Sequence, residues 1–321
     1  MTPIRSVVLA AALAFAATLP VHAQTLATVQ AQVDARAPTA LAAAEAFAKA
    51  NAGNAQAWIV LTRARLQAGK AEAAIAAAEK ATKLAPKDAQ AFRWLGSAYG
   101  QRIGQVGMFS KLSMAPKLRA AFERAVQLDG DLMEARYALV EFYLQAPGAI
   151  GGGIDKARAQ ATEMGRRDPA QGQIANARIA LHEERKADAF KHYAAALAAK
   201  PADARVRLAV AAGYQHLERW DEAFRLLHAW TAEDPASGPA WYQLGRAAAV
   251  SGKSLDAGVA ALEKYLTLPH AGDDPENKHA LYRLGQIHAQ AGRKAQARVV
   301  LDRALALDPA YADAKAERAK L

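Results

Sequence analysis

The fold is decided by AWYQLGRAAA at 240–249 and ALYRLGQIHA at 280–289, with AFRWLGSAYG at 91–100 close behind. Each is an amphipathic helical run that carries an aromatic residue or Leu, then Leu-Gly, then small residues. Glycine and alanine on the packing face let a second helix come close, as ridge-into-groove packing requires. Prolines stand at 201, 235 and 269, then at 275 and 309, so three intervals equal 34 residues. Short amphipathic runs lead into prolines at KLAP (83–86), RRDP (166–169), AEDP (232–235) and ALDP (306–309). Proline cannot continue a helix, so each marks a turn into the next unit.

This pattern resembles the tetratricopeptide repeat, a 34-residue helix–turn–helix unit. The aromatic or Leu of the first helix falls at Trp58, Phe92, Trp241 and Leu281. The Leu-small pair falls at Leu95-Gly96, Val210-Ala211, Leu244-Gly245 and Leu284-Gly285, and the second-helix alanine at Ala74, Ala157, Ala189, Ala223, Ala257 and Ala297. The resemblance implies an all-α fold, a right-handed superhelical solenoid of antiparallel helix pairs. Seven units are expected, at 55–88, 89–132, 133–171, 172–203, 204–237, 238–277 and 278–311. The unit at 172–203 is two residues short and lacks both the aromatic and the Leu-Gly pair, so its register is open. A lone unit has too little core, so the units must stack and be capped. The segment 24–54 is expected to cap the front and 312–321 the rear.

Composition agrees. Of 321 residues 52% are hydrophobic but only 7% aromatic, and alanine dominates, which favours helix over sandwich or barrel. The chain has no cysteine, which excludes disulfides, thiol nucleophiles and cysteine-based zinc sites. Its formal charge of +10 suits an acidic partner but says nothing of fold. Nucleic-acid binding is not expected, because Lys and Arg are dispersed and the chain reads as exported.

Export is read from MTPIRSVVLAAALAFAATLPVHAQ. Arg5, an apolar run from Ser6 to Leu19, the breaker Pro20 and the small-residue site Val21-His22-Ala23 match a secretory signal peptide over residues 1–23. A periplasmic or secreted location follows as an expectation, with no transmembrane segment in the mature chain.

Three insertions interrupt the repeats, where functional edges often form. GQRIGQVGMFSKLSMAPK (100–117) and QAPGAIGGGIDKA (145–157) are expected as turns within adjacent repeats, emerging side by side. LPHAGDDPENK (268–278) lies between repeats, on the opposite edge. Gly151, Gly152 and Gly153 allow two readings, a tight turn or backbone amides cradling an anion, though neither a P-loop Lys-Ser nor a preceding strand is present. Arg102, Phe109 and Lys111 would add a loop surface beside them. YLQAPGAIGGG (143–153) resembles a feature of a subgroup of exported bacterial repeat proteins, a resemblance that implies no activity for this chain.

Catalytic constellations are not found. The eight histidines include no i, i+4 pair suited to a metal, His182-Glu183 lacks a zincin's second histidine, and no nucleophile elbow is present. No enzyme activity and no cofactor are expected. A binding surface is the stronger expectation: in the repeat family the first helices line a concave groove. That geometry selects Gln56, Ile59, Arg63, Arg93, Ser97, Tyr137, Glu141, Leu208, Gln215, Tyr242, Arg246, Tyr282 and Gln286. Arg forks onto carboxylates and Tyr gives rigid contact area, which suits a protein or peptide partner. Ile59 and Arg63 stand where chaperone-binding relatives carry a Lys/Asn carboxylate clamp, so that role is not expected. An envelope enzyme or small-anion receptor using the loops 100–117 and 145–157 is the alternative.

Overall fold

The structure is a computed structural model, and it describes residues 25–200, 202–270 and 274–321. The signal-peptide stretch lies outside the described residues. Among the described residues there are only helices, in eight antiparallel pairs and a closing helix. The pairs are α1 (Leu26–Asp34) with α2 (Ala40–Ala50), α3 (Ala55–Gln67) with α4 (Ala71–Leu84), α5 (Ala89–Gln105) with α6 (Met108–Leu128), and α7 (Met133–Gln145) with α8 (Ile154–Arg167). They continue with α9 (Pro169–His182) and α10 (Lys186–Ala199), α11 (Ala204–His216) and α12 (Trp220–Glu233), α13 (Gly238–Ser251) and α14 (Leu255–Thr267), and α15 (Asn277–Gln290) and α16 (Lys294–Leu307). The closing helix is α17 (Ala312–Ala319).

The two kinds of helix start differently. Several odd helices open on a side-chain cap: Asn54, Asp88, Asp168, Asp203 and Ser237 accept from amides of the first turn. The even helices α4, α10, α12 and α16 follow Lys70, Arg185, Arg219 and Arg293 and have no such cap. Their reversal comes from a left-handed residue just before, Gly69, Glu184, Glu218 or Gly292. At the return turn the indole N–H of Trp58 donates to the Ala52 carbonyl (2.9 Å), and that of Trp241 to the Pro235 carbonyl (3.0 Å). At these two turns the repeated aromatic therefore fastens the turn to the helix after it.

Within a pair the helices nearly touch. A Cβ on Gly245 would lie 2.2 Å from Cγ of Leu262, and one on Gly285 would lie 2.6 Å from Leu301. Between pairs, α1 packs on α3 and α3 on α5, and the odd helices from α7 to α17 pack in succession, while the even helices pack chiefly on their odd neighbours. A layer in close contact beside a splayed layer must curve, with the odd helices inside. That curvature carries the chain far enough round for the Arg36 guanidinium to donate to the Asp274 carbonyl (3.2 Å). Residues near the front thus meet the connection between α14 and α15.

Three sequence expectations change. The front segment, expected only to cap the stack, is a full helix pair, α1 with α2. The stretch 100–117 is no loop: it lengthens α5 to 17 and α6 to 21 residues, leaving only Val106 and Gly107 between them. Alanine, leucine and methionine sustain helix there, and Pro116 is accommodated inside α6. Lastly, α9 opens at Pro169 with Asp168 serving both as the end of α8 and as the cap of α9, so the usual turn between units is missing. Glycine makes that junction possible, since a Cβ on Gly172 would lie 2.4 Å from Cα of Gly165.

Candidate protein-binding groove

The inner layer carries a trough that crosses α7, α9 and α11. Tyr137, Ile174 and Ala209 form its floor and are shared by two adjoining sections of about 380 Å³ each. One section opens toward Glu134, Asp168, Gln171 and Arg205, the other toward Arg178, Leu181 and His216. His216 also borders a third section, about 510 Å³, that leads past Gln215 to Arg246 and Val250 on α13. The first two sections thus form one trough across α7, α9 and α11, apolar on its floor, and the third meets it only at His216.

The charges are arranged by burial. Glu141 accepts from Arg178 Nε at 2.6 Å, and both sit beside Tyr137. Burial, then the Glu141 carboxylate, push the Tyr137 hydroxyl far above its ordinary range, so it stays a neutral donor. Asp168 sits at the other edge. Burial disfavours its charge, but Lys200 at 2.7 Å and the amides of Gln171 and Ala170 outweigh that and hold its carboxyl below the usual range. Arg246 differs: its Nη1 donates to Gln215 Oε1 at 2.6 Å, and Gln215 in turn donates to Gln243 at 3.0 Å. The group that Arg246 meets is thus a neutral carboxamide, itself tied to a second one. Burial and the nearby Arg283 lower the affinity of this guanidinium for its proton, a sign of uncompensated positive charge. Arg283 itself donates to Gln286 Oε1 (2.7 Å) and lies over the Tyr282 ring.

The remaining expected residues divide. Arg63 pairs with Asp34, and both Arg63 and Arg93 stack on Trp94, at 5.4 and 4.2 Å from its centroid. They form a separate cluster between α3 and α5. Tyr282 accepts from Gln286 Nε2 (2.9 Å) and packs edge-on against Tyr311. Ile59 and Tyr242 are buried, and Tyr242 lies against Tyr265 in the core rather than on the groove surface. Apolar contact won there, because the ring reaches the next helix of the stack. Arg102 donates to Glu72 (2.9 Å), Lys111 is half-buried, and Phe109 is 91% exposed.

The glycine run is a structural turn. The amides of Gly151, Gly152 and Gly153 donate to the carbonyls of Gly148, Pro147 and Tyr143, at 2.9, 3.1 and 2.9 Å. None of the three faces outward for an anion. A Cβ on Gly152 would lie 1.7 Å from the Ala146 oxygen, and Gly151 has φ of +97°. Backbone sterics therefore account for these residues.

Sequence reasoning missed Ile174, Arg178, Ala209 and His216. The doubtful register of 172–203 hid the first two, yet the i, i+4 spacing of Ile174 and Arg178 on a capped helix was the available signal. Among the described residues, no group of His, Asp or Glu could hold a metal ion, and no helix is long and apolar enough to cross a membrane.

Tetratricopeptide repeat family models match residues 34–89, 61–102 and 279–311, so the chain carries tetratricopeptide repeats at both ends. No curated protein matches. Among solved structures the chain is similar to the anaphase-promoting-complex hetero-tetramer Cut9-Hcn1, at 14% identity and a TM-score of 0.47. That match covers 92% of this chain and 54% of that one, so the chain spans about half the length of this neighbour. A tetratricopeptide repeat protein from Parabacteroides merdae matches at 14% identity and a TM-score of 0.46, covering 82% and 97% of the two chains. The repeat protein TTC0263 of Thermus thermophilus matches at 21% identity and 0.45, covering 54% and 88%.

Proposed function

We propose that the protein is a non-catalytic scaffold, exported to the periplasm or beyond, that holds an extended segment of a protein partner in the inner trough. One observation carries the reading: an apolar floor at Tyr137, Ile174 and Ala209 leads toward Arg246, a half-buried guanidinium that donates to the neutral carboxamide of Gln215. A buried cation gains strongly from a charged partner, so this end selects a carboxylate. An apolar side chain on the floor and an acidic group at Arg246 describe the segment. The bound amides of the glycine run lend no support to an anion receptor there.

Crosslinked pulldown from the native envelope, with Arg246→Glu and Ala209→Glu beside the parent chain, tests the groove. Each variant should lose the partner by tenfold or more, about the effect of one truncated hot-spot contact, while keeping a native helical spectrum. Undiminished capture by both folded variants would sink the groove. Export is tested separately, by fractionation and by N-terminal sequencing for a chain that begins at Gln24.

A further inference from the structure

The lengthened α5/α6 pair exposes a feature that the groove does not use. A helix rises about 1.5 Å per residue, so α6 with 21 residues outreaches its 13- and 14-residue counterparts by roughly two turns. At its first turn Met108 is 68% exposed, Phe109 91% and Leu112 43%. Of the other large exposed apolar side chains among the described residues, Leu84 and Val250 sit singly on α4 and α13, and Val299 and Leu307 lie at opposite parts of α16. A concentration of this kind at a projecting tip is costly in water and marks a contact surface.

Charge identifies the contact. From residue 89 to 122 there is no acidic residue, while Arg93, Arg102, Lys111, Lys117 and Arg119 are all basic. Arg93, Arg102 and Arg119 are engaged, with Trp94, Glu72 and the Ile150 carbonyl. Lys111 and Lys117 flank the apolar tip, and neither has a carboxylate within salt-bridge distance among the described residues. A convex apolar knob with cations at its base has the form of an interfacial anchor: apolar groups enter the acyl boundary while lysines meet phosphates. We infer that the Met108–Phe109–Leu112 tip, with Lys111 and Lys117, docks the protein onto an anionic lipid surface. Two copies of this tip meeting face to face would oppose lysine to lysine.

The absence of cysteine permits a direct test on the full chain. Ser110→Cys carries an environment-sensitive fluorophore at the tip, and Val299→Cys carries it on a remote exposed site. Vesicles of phosphatidylcholine with phosphatidylglycerol should blue-shift the tip label and leave the remote label unchanged. Phosphatidylcholine alone should shift neither. The readout is local, so vesicle binding through the N-terminal apolar stretch does not imitate it. Substituting K111Q and K117Q together should weaken tip insertion about 30-fold, since each lysine near an anionic surface contributes roughly fivefold. F109S should weaken it about tenfold. Phe109 and Lys117 are exposed and Lys111 is half-buried without a carboxylate partner, so the melting temperature should hold. An unshifted tip label on anionic vesicles overturns the proposal. So does equal insertion by the F109S chain, or a dimer in sedimentation that F109S dissolves.

Discussion

Glu184 and Glu218 hold φ of 60° and 57° at a turn where the equivalent Gly69 and Gly292 sit at 72° and 73°. A side chain with Cβ is strained there, and the strain is of the order of 1 kcal/mol. Glycine would relieve it but would loosen the unfolded chain. Glu218 is exposed, so little contact is lost. Glu218→Gly should therefore stabilise the protein by about 0.5 kcal/mol, read as a higher urea midpoint with an unchanged slope. A lower midpoint would show that Glu218 contributes more than its backbone costs. The repeat pattern in the sequence reveals that a turn belongs here; it does not reveal that the chain tolerates glutamate in a left-handed conformation.

The junction of α8 and α9 is the weakest point in the repeat pattern and the most compressed in the structure. Asp168 caps α9 through the amides of Ala170 and Gln171, at 3.1 and 3.2 Å, and pairs with Lys200. Asp168→Ala should cost about 1–2 kcal/mol, the usual range for a lost helix cap. The sign with pH follows from the lowered carboxyl. Its contribution is complete above the unfolded pKa near 4 and is lost as pH falls through the lower folded value. Urea melts of parent and D168A chains should therefore converge in strong acid and stay apart at neutral pH. The α5/α6 pair teaches a related lesson. Glycines and a proline within 100–117 suggested a loop, but helix pairing along α5 and α6 overrode those local signals.

Across the stack, three histidines respond to acid alike. Burial comes first in lowering His192, His279 and His288, with Lys278 acting on His279 and Arg293 on His288. Each favours the neutral ring in the folded state, so their contribution is complete above the unfolded pKa near 6.5 and is lost as pH falls through the depressed values. The melting temperature should drop between about pH 7 and pH 5, before the paired carboxylates titrate. His192→Gln should flatten part of that slope; an unchanged slope would show that His192 does not share in it. Repeat units stabilise one another through neighbours, so the loss should spread through adjoining pairs.

Trp58, Trp241, Gly245 and the spaced prolines were enough to establish helix pairs, because they act locally: an aromatic ties a turn, a glycine admits a neighbour, a proline stops a helix. Those contacts span few residues, so sequence order encodes them directly. The trough was legible only in part. Of the expected residues Tyr137 and Arg246 line the trough and Glu141 stands beside it, paired with Arg178, whereas Tyr242 lies in the core and Ile174 and Arg178 were hidden by an irregular junction. Which side chain of a first helix faces open space depends on how far each pair rotates against the next. That rotation, and the curvature bringing Arg36 to Asp274, accumulates over many interfaces and is set by packing.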